Sequence, residues 1–151
     1  MNLTFVCLGN ICRSPMAEAV LRQLIAHDPV SADWTIASCG TGPWHVGKNA
    51  DPRTLAVLQK HQVPVAHRAR QLQPRDYSTN DLLLAMDEDN LAVLRQRTPA
   101  QATARLVLFG SYDPEGVREI ADPYYGGDDG FERMYQHITR CCQAFMAQAT
   151  R

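Results

Sequence analysis

The chain lacks a surplus of either charge: 15 lysines and arginines stand against 16 aspartates and glutamates, for a formal net charge of −1 at pH 7. A field so near neutral draws in neither nucleic acid nor an anionic membrane, and neither is expected as a partner. Long apolar runs are missing too. The longest, Leu82 to Met86, is far too short to cross a bilayer. The N-terminus does not show a basic flank, an apolar stretch and a small-residue cleavage site in succession, so no secretory signal is expected. Cysteine is sparse: five residues, an odd number, without the paired spacing of a secreted disulfide framework. These absences point to a cytoplasmic protein with free thiols. Repeats, low-complexity tracts and linkers are absent as well, so residues 1–151 are expected to form one domain.

What is present is ordinary in amount and orderly in arrangement. Hydrophobic residues make up 45% and charged residues 21%, the balance of a soluble globular domain. Leu3–Cys7 is an apolar run rich in strand formers, and Gly9 ends it. Ser14 and Pro15 read as the cap and first residue of a helix in which Met16, Val20, Leu21, Leu24 and Ile25 recur at helical spacing. Further strands are expected at Trp34–Ser38, Asp81–Met86 and Arg105–Phe109, and further helices at Asp51–His61 and Asp87–Arg97. A C-terminal helix carries Phe131, Met134, Tyr135, Ile138, Cys142 and Phe145 as its inner stripe. Arg68, Arg70 and Arg75 read as a solvated face. Strands apolar on both faces, alternating with helices, imply an α/β domain with a parallel sheet covered on both sides. Ligands of such sheets bind beyond the carboxyl ends of the strands, which is where Cys7 falls.

The segment Cys7-Leu8-Gly9-Asn10-Ile11-Cys12-Arg13-Ser14 joins the first strand to the first helix. A loop curling into a helix start turns backbone N–H groups inward as an anion nest, and the helix adds the positive end of its dipole. Gly9 permits a positive φ, and Asn10 tolerates the left-handed region better than most residues. A free cysteine titrates near ~8.5, whereas helix N-termini and nearby cations bring thiols to about 3.5–7.5. Cys7 is therefore the expected thiolate nucleophile toward phosphorus. Arg13 offers a planar fork for two phosphate oxygens, and Ser14 a hydroxyl that can donate to the sulfur.

Departure of an aryl oxygen needs a proton donor, and hydrolysis of a phosphocysteine needs a base; one carboxyl can serve both steps. Asp122, in Ala121-Asp122-Pro123-Tyr124-Tyr125-Gly126-Gly127, is the candidate. Pro123 biases it toward an extended backbone. On residue type alone, a loop carboxylate opening a turn is the favoured reading.

Together these segments resemble the signatures of the low-molecular-weight protein tyrosine phosphatases, and the resemblance runs over essentially the whole chain. It includes Leu108-Phe109-Gly110-Ser111-Tyr112-Asp113-Pro114 ahead of the acid segment. It implies a four-stranded parallel sheet flanked by helices, with the phosphate loop between the first strand and first helix. It implies phosphocysteine chemistry with no metal and no cofactor, on a phosphotyrosine-bearing protein or a small aryl phosphate. Matched by residue, Cys7 is the nucleophile, Arg13 the phosphate clamp and Asp122 the acid, then the base. Leu8 to Ser14 bind phosphate. Asn10 holds the loop's backbone, and Ser14, Ser38 and His67 support it. Trp44, Tyr124 and Tyr125 rim the pocket, although from residue type alone Trp44 also suits a core position. Cys12 is the implied redox partner of Cys7 in a reversible disulfide. Cys39, Cys141 and Cys142 read as packing residues, and the Cys141-Cys142 pair has no zinc-site spacing.

Three other readings are weaker. Arsenate reduction on a similar loop needs downstream resolving cysteines, and none lies between Cys39 and Cys141. A phosphate-binding module needs neither Cys7 nor Asp122. A dithiol redox protein calls for a tighter spacing than that of Cys7 and Cys12. A monomer is the simplest expectation.

Overall fold

The computed structural model describes residues 1–127 and 129–150. Its elements run β1 (Asn2–Cys7), α1 (Arg13–Ile25), β2 (Thr35–Gly40), α2 (Pro52–Lys60), α3 (Asp76–Thr79), β3 (Leu82–Ala85), α4 (Glu88–Gln96), β4 (Arg105–Leu108), a 3-10 turn (Phe109–Tyr112) and α5 (Asp129–Ala149). The four strands form one sheet in the order β2-β1-β3-β4, and every pairing is parallel. The expected α/β sheet is therefore the one observed.

Alternation along the strands explains the two covered faces. Leu3, Phe5 and Cys7 of β1, with Leu82 and Leu84 of β3, pack with Met16, Val20 and Leu21 of α1 and Phe131, Ile138 and Phe145 of α5. Val6, Leu83 and Ala85 point the other way, against Leu91 and Leu94 of α4 and Tyr77 of α3. Phe5 meets Phe109 edge-on at 4.9 Å. Each such fully buried side chain contributes roughly 1.5–3 kcal/mol, so the sheet is anchored from both sides. Cys39, Cys141 and Cys142 are all buried in these layers.

Several boundaries differ from the sequence reading. The strand expected at Trp34–Ser38 is Thr35–Gly40, which extends β2 alongside the end of β1. Ser14 does not cap α1: the cap position is Cys12, without a side-chain cap bond, because the Ser14 hydroxyl is drawn to Cys7 and Asn10 instead. Asp51 and Asp87, expected as first residues of helices, are their N-caps, accepting from the Arg53 and Asn90 amides. The short α3 and the 3-10 turn carry no periodicity long enough to read. Arg70 is only half-buried yet not simply solvated: its guanidinium grips both oxygens of buried Asp76 at 3.0 Å. Among the described residues no helix is long and apolar enough to cross a membrane.

Strand order decides where a ligand can sit. From β1 the chain passes to β2 on one side and later to β3 on the other, which opens a crevice at the carboxyl ends of β1 and β3. Cys7 ends β1 and Asp87 follows β3 by two residues.

Candidate active site

At that crevice the chain leaves β1 and turns into α1. Thr41 N–H donates to the Cys7 carbonyl and Gly42 N–H to the Leu8 carbonyl, both at 2.9 Å, so the end of β2 braces the loop. The approach is close: a Cβ on Gly40 would stand 2.8 Å from the Leu8 carbonyl oxygen. Asn10 takes φ 57°, the left-handed conformation expected of it. Gly9 does not have a positive φ. Its lack of a side chain serves space instead, since a Cβ there would meet the His45 ring at 3.0 Å.

The expected supporting network is present. Asn10 Nδ2 donates to Ser14 Oγ at 2.8 Å and to Ser38 Oγ at 3.0 Å. Asn10 Oδ1 accepts from the Arg70 amide at 2.9 Å, and the Asn10 carbonyl accepts from His67 Nε2 at 2.7 Å. The Ser38 hydroxyl donates in turn to Glu18 Oε1 at 2.6 Å. Asn10 and Ser14 are wholly buried, where an unpaired polar group would cost about 1–3 kcal/mol. The loop's shape is therefore over-determined. Cys7 Sγ lies 3.0 Å from Ser14 Oγ and receives the Asn10 amide at 3.3 Å.

Arg13 is buried and points across to the end of β3. Its Nη1 donates to Asp87 at 2.5 Å and to the Ile120 carbonyl at 3.0 Å, and its Nη2 lies 3.6 Å from Asp122. Burial works against this charge, but Cys7, Asp87 and Asp122 more than offset it and raise the guanidinium. The loop thiol Cys12 is pushed up to about 12, first by burial and then by Asp51, Cys7 and Asp122; it is a neutral thiol.

Cys7, Leu8, Gly9, Ile11, Cys12, Arg13, Trp44, His45, Asp122, Tyr124 and Tyr125 line one cavity of about 330 Å³. The fold thus brings Asp122, more than a hundred residues away in sequence, to the same hollow as Cys7 and Arg13. Trp44 and Tyr125 are exposed at 65% and 95%, as rim residues rather than core. Asn10 and Ser14, within the loop, and Ser38 and His67, outside it, are not among the residues that line this cavity. Arg53 ties the far side together, donating to the Tyr124 carbonyl at 3.1 Å while gripping Asp51.

Sequence reasoning missed Asp87, Glu18, His45 and the Ile120 carbonyl. Asp87 had a readable signal, a capping aspartate beyond a buried strand at the sheet's ligand-binding edge. Glu18 lies one helical turn beyond Ser14, which places it on the same face.

Residues 2–151 match the family model described as low molecular weight phosphotyrosine protein phosphatase. The chain is 46% identical to the low molecular weight phosphotyrosine protein phosphatase of Sus scrofa, over 96% of this chain and 93% of that protein. It is 47% identical to the Schizosaccharomyces pombe protein of the same name, over 97% and 95%. It superposes on the crystal structure of DARP, a drosophila arginine phosphatase, with TM-score 0.94 and 33% identity, covering 100% and 99% of the two chains. The chain belongs to the low molecular weight phosphotyrosine protein phosphatases, hydrolases that act on phosphotyrosine.

Proposed function

We propose that catalysis runs through Cys7, with Arg13 and Asp122 in the roles of clamp and proton carrier. One observation carries this reading: these three side chains line a single cavity at the carboxyl edge of the sheet. The Cys7 thiolate attacks phosphorus; an S–P bond forms and the P–O bond to the aryl group breaks. Asp122, entering as the acid, gives its proton to the departing oxygen. The resulting carboxylate then takes a proton from water as the water oxygen attacks phosphorus. The S–P bond breaks, inorganic phosphate leaves and the thiolate is regenerated. Arg13 holds two phosphoryl oxygens throughout, and hydrogen bonds from the Asn10 amide and Ser14 favour the sulfur as leaving anion.

The cavity walls suit a flat aryl ring. Leu8, Ile11, Trp44 and Tyr124 supply apolar and aromatic surface for a phenyl ring. The substrate is a phosphotyrosine side chain on a protein or a small aryl phosphate. The enzyme acts as a monomer in a reducing cytoplasm, where Cys7 stays in its working state. Under peroxide, Cys7 becomes a sulfenic acid, and the Cys12 sulfur displaces water from it to form a reducible disulfide.

The test is hydrolysis of p-nitrophenyl phosphate, a phosphotyrosine peptide and phosphoarginine. Cys7→Ser should lose turnover by on the order of 10⁴-fold or more and still bind inorganic phosphate. Asp122→Ala should lower kcat/KM for the phosphotyrosine peptide by about 10²–10³. Residual turnover in Cys7→Ser near the wild-type rate would defeat the assignment. Faster turnover of phosphoarginine than of phosphotyrosine would move the substrate class.

A further inference from the structure

Asp122 reaches the pocket at the end of a strut, residues 113–120, whose far end is fixed by a buried cluster remote from the phosphate loop. The Asp113 side chain has no exposed surface. Its oxygens accept from the Glu115 amide at 2.9 Å, the Val117 amide at 3.2 Å and the Arg140 fork at 3.2 and 3.1 Å. His137 Nε2 of α5 lies 3.1 Å from Asp113 Oδ2 and 2.8 Å from the Val117 carbonyl oxygen. Both neighbours are acceptors, so Nε2 carries the proton. Burial pushes the Asp113 carboxyl up, but the Arg140 fork, the Glu115 amide and His137 together hold it below its usual range.

The strut then rests on the 3-10 turn. A Cβ on Gly110 would stand 1.8 Å from the Arg118 carbonyl oxygen. At the near end, the Ile120 amide donates to the Met86 carbonyl at 2.8 Å and the Ile120 carbonyl receives Arg13. Two residues later comes Asp122. Asp113, His137 and Cys141 also bring three metal-binding residue types within 4.8 Å. The protonated Nε2, the filled carboxylate and a Cys141 thiol pushed up to about 12, chiefly by burial, make an ion-pair lock rather than a metal cage.

We propose that Asp113, His137 and Arg140 are positioning residues for the reaction: their contacts set the strut, and the strut places the Ile120 carbonyl on Arg13 and the Asp122 carboxyl at the pocket. The proposal rests on Asp122 being the general acid. A shifted strut therefore penalises substrates whose leaving group needs a proton more than those whose leaving group does not. Phenyl phosphate, with a leaving group as weakly acidic as tyrosine, is the first kind; p-nitrophenyl phosphate is the second.

The experiment compares kcat/KM for both substrates, inhibition by inorganic phosphate, and melting with and without zinc. The proteins are the wild type, His137→Ala, His137→Gln, Gly110→Ala and Asp122→Ala. His137→Ala should lose about tenfold on phenyl phosphate and under about threefold on p-nitrophenyl phosphate, with phosphate inhibition within about twofold. His137→Gln, whose amide can donate to the Val117 carbonyl, should restore the ratio. Gly110→Ala moves the strut from the other side and should show the same selective loss. Equal losses on both substrates in His137→Ala and Gly110→Ala, with Asp122→Ala still selective, would reduce the cluster to a fold stabiliser. Equal losses in Asp122→Ala would instead overturn the acid assignment beneath the proposal. A zinc-induced rise in melting temperature that His137→Ala abolishes would overturn the lock in favour of a metal site.

Discussion

The two loops that meet at the pocket are built in opposite ways. The phosphate loop is held on its buried side: Asn10 alone makes bonds to Ser14, Ser38, Arg70 and His67. The acid loop is exposed, with the Asp122 side chain 41% accessible, and is held from outside by Arg13, Arg53 and the strut. The difference suits the role proposed for each. An anion cradle must not change shape as charge arrives, and preorganised donors are effective because they need no rearrangement. A carboxyl that gives a proton to one leaving group and takes one from water needs access to both.

That contrast implies that disturbing the phosphate loop costs stability as well as activity. The largest effect is expected at Asn10. Asn10→Ala forces an ordinary side chain into φ 57° and strands buried partners, a loss of about 2–4 kcal/mol. Asn10→Gly keeps the backbone conformation while losing the same bonds, so it should be about 1 kcal/mol more stable than Asn10→Ala. Urea denaturation of both measures it; equal stabilities would mean that the left-handed backbone carries no strain.

Cys12→Ser should have an intermediate effect, confined to oxidised enzyme. Basal turnover should stay within about threefold of wild type, since Cys12 is a neutral thiol. After peroxide, added thiol should restore the wild type and leave most of the Cys12→Ser protein inactive. Full recovery of both would remove Cys12 from any protective role.

The smallest effect is expected outside both loops, where Glu132 clamps the first turn of α5 to His61 and Lys60 at the end of α2. Gln136, His61 and Lys60 lower the Glu132 carboxyl to about 2. Its folded value lies below its unfolded one, so the contribution is complete above pH of about 4.3 and is lost as pH falls toward 2. Glu132 is partly exposed, so Glu132→Gln should cost only about 1 kcal/mol at pH 7. Thermal melts from pH 7 to pH 3 should show the gap to wild type narrowing; a constant gap would assign it to packing.

The same contrast governed what the sequence disclosed. Cys7, Arg13, Ser14 and the left-handed Asn10 lie within eight consecutive residues, so local chemistry made the phosphate loop readable. The sheet was readable because apolar strands alternate with helices. Arg13's other partners were not, because Asp87 and Ile120 lie 74 and 107 residues away, and no local pattern announces such pairings. Asp122 could be read only as a candidate carboxyl, raised above an ordinary turn residue by family resemblance, because nothing local shows that a residue more than a hundred positions away shares one cavity with Cys7. Gly9 had the right residue type for the wrong reason, since its need is room for His45 rather than a positive φ. Ser14 looked like a helix cap because the sulfur that claims its hydroxyl lies seven residues upstream.

The most direct test of the central claim is to quench the enzyme in acid during turnover of p-nitrophenyl phosphate and map the phosphoryl group by mass spectrometry. Phosphate is expected on the peptide at Cys7 and absent from Cys7→Ser. Rapid turnover with no phosphoenzyme, or a phosphoryl group found on Cys12, would contradict it.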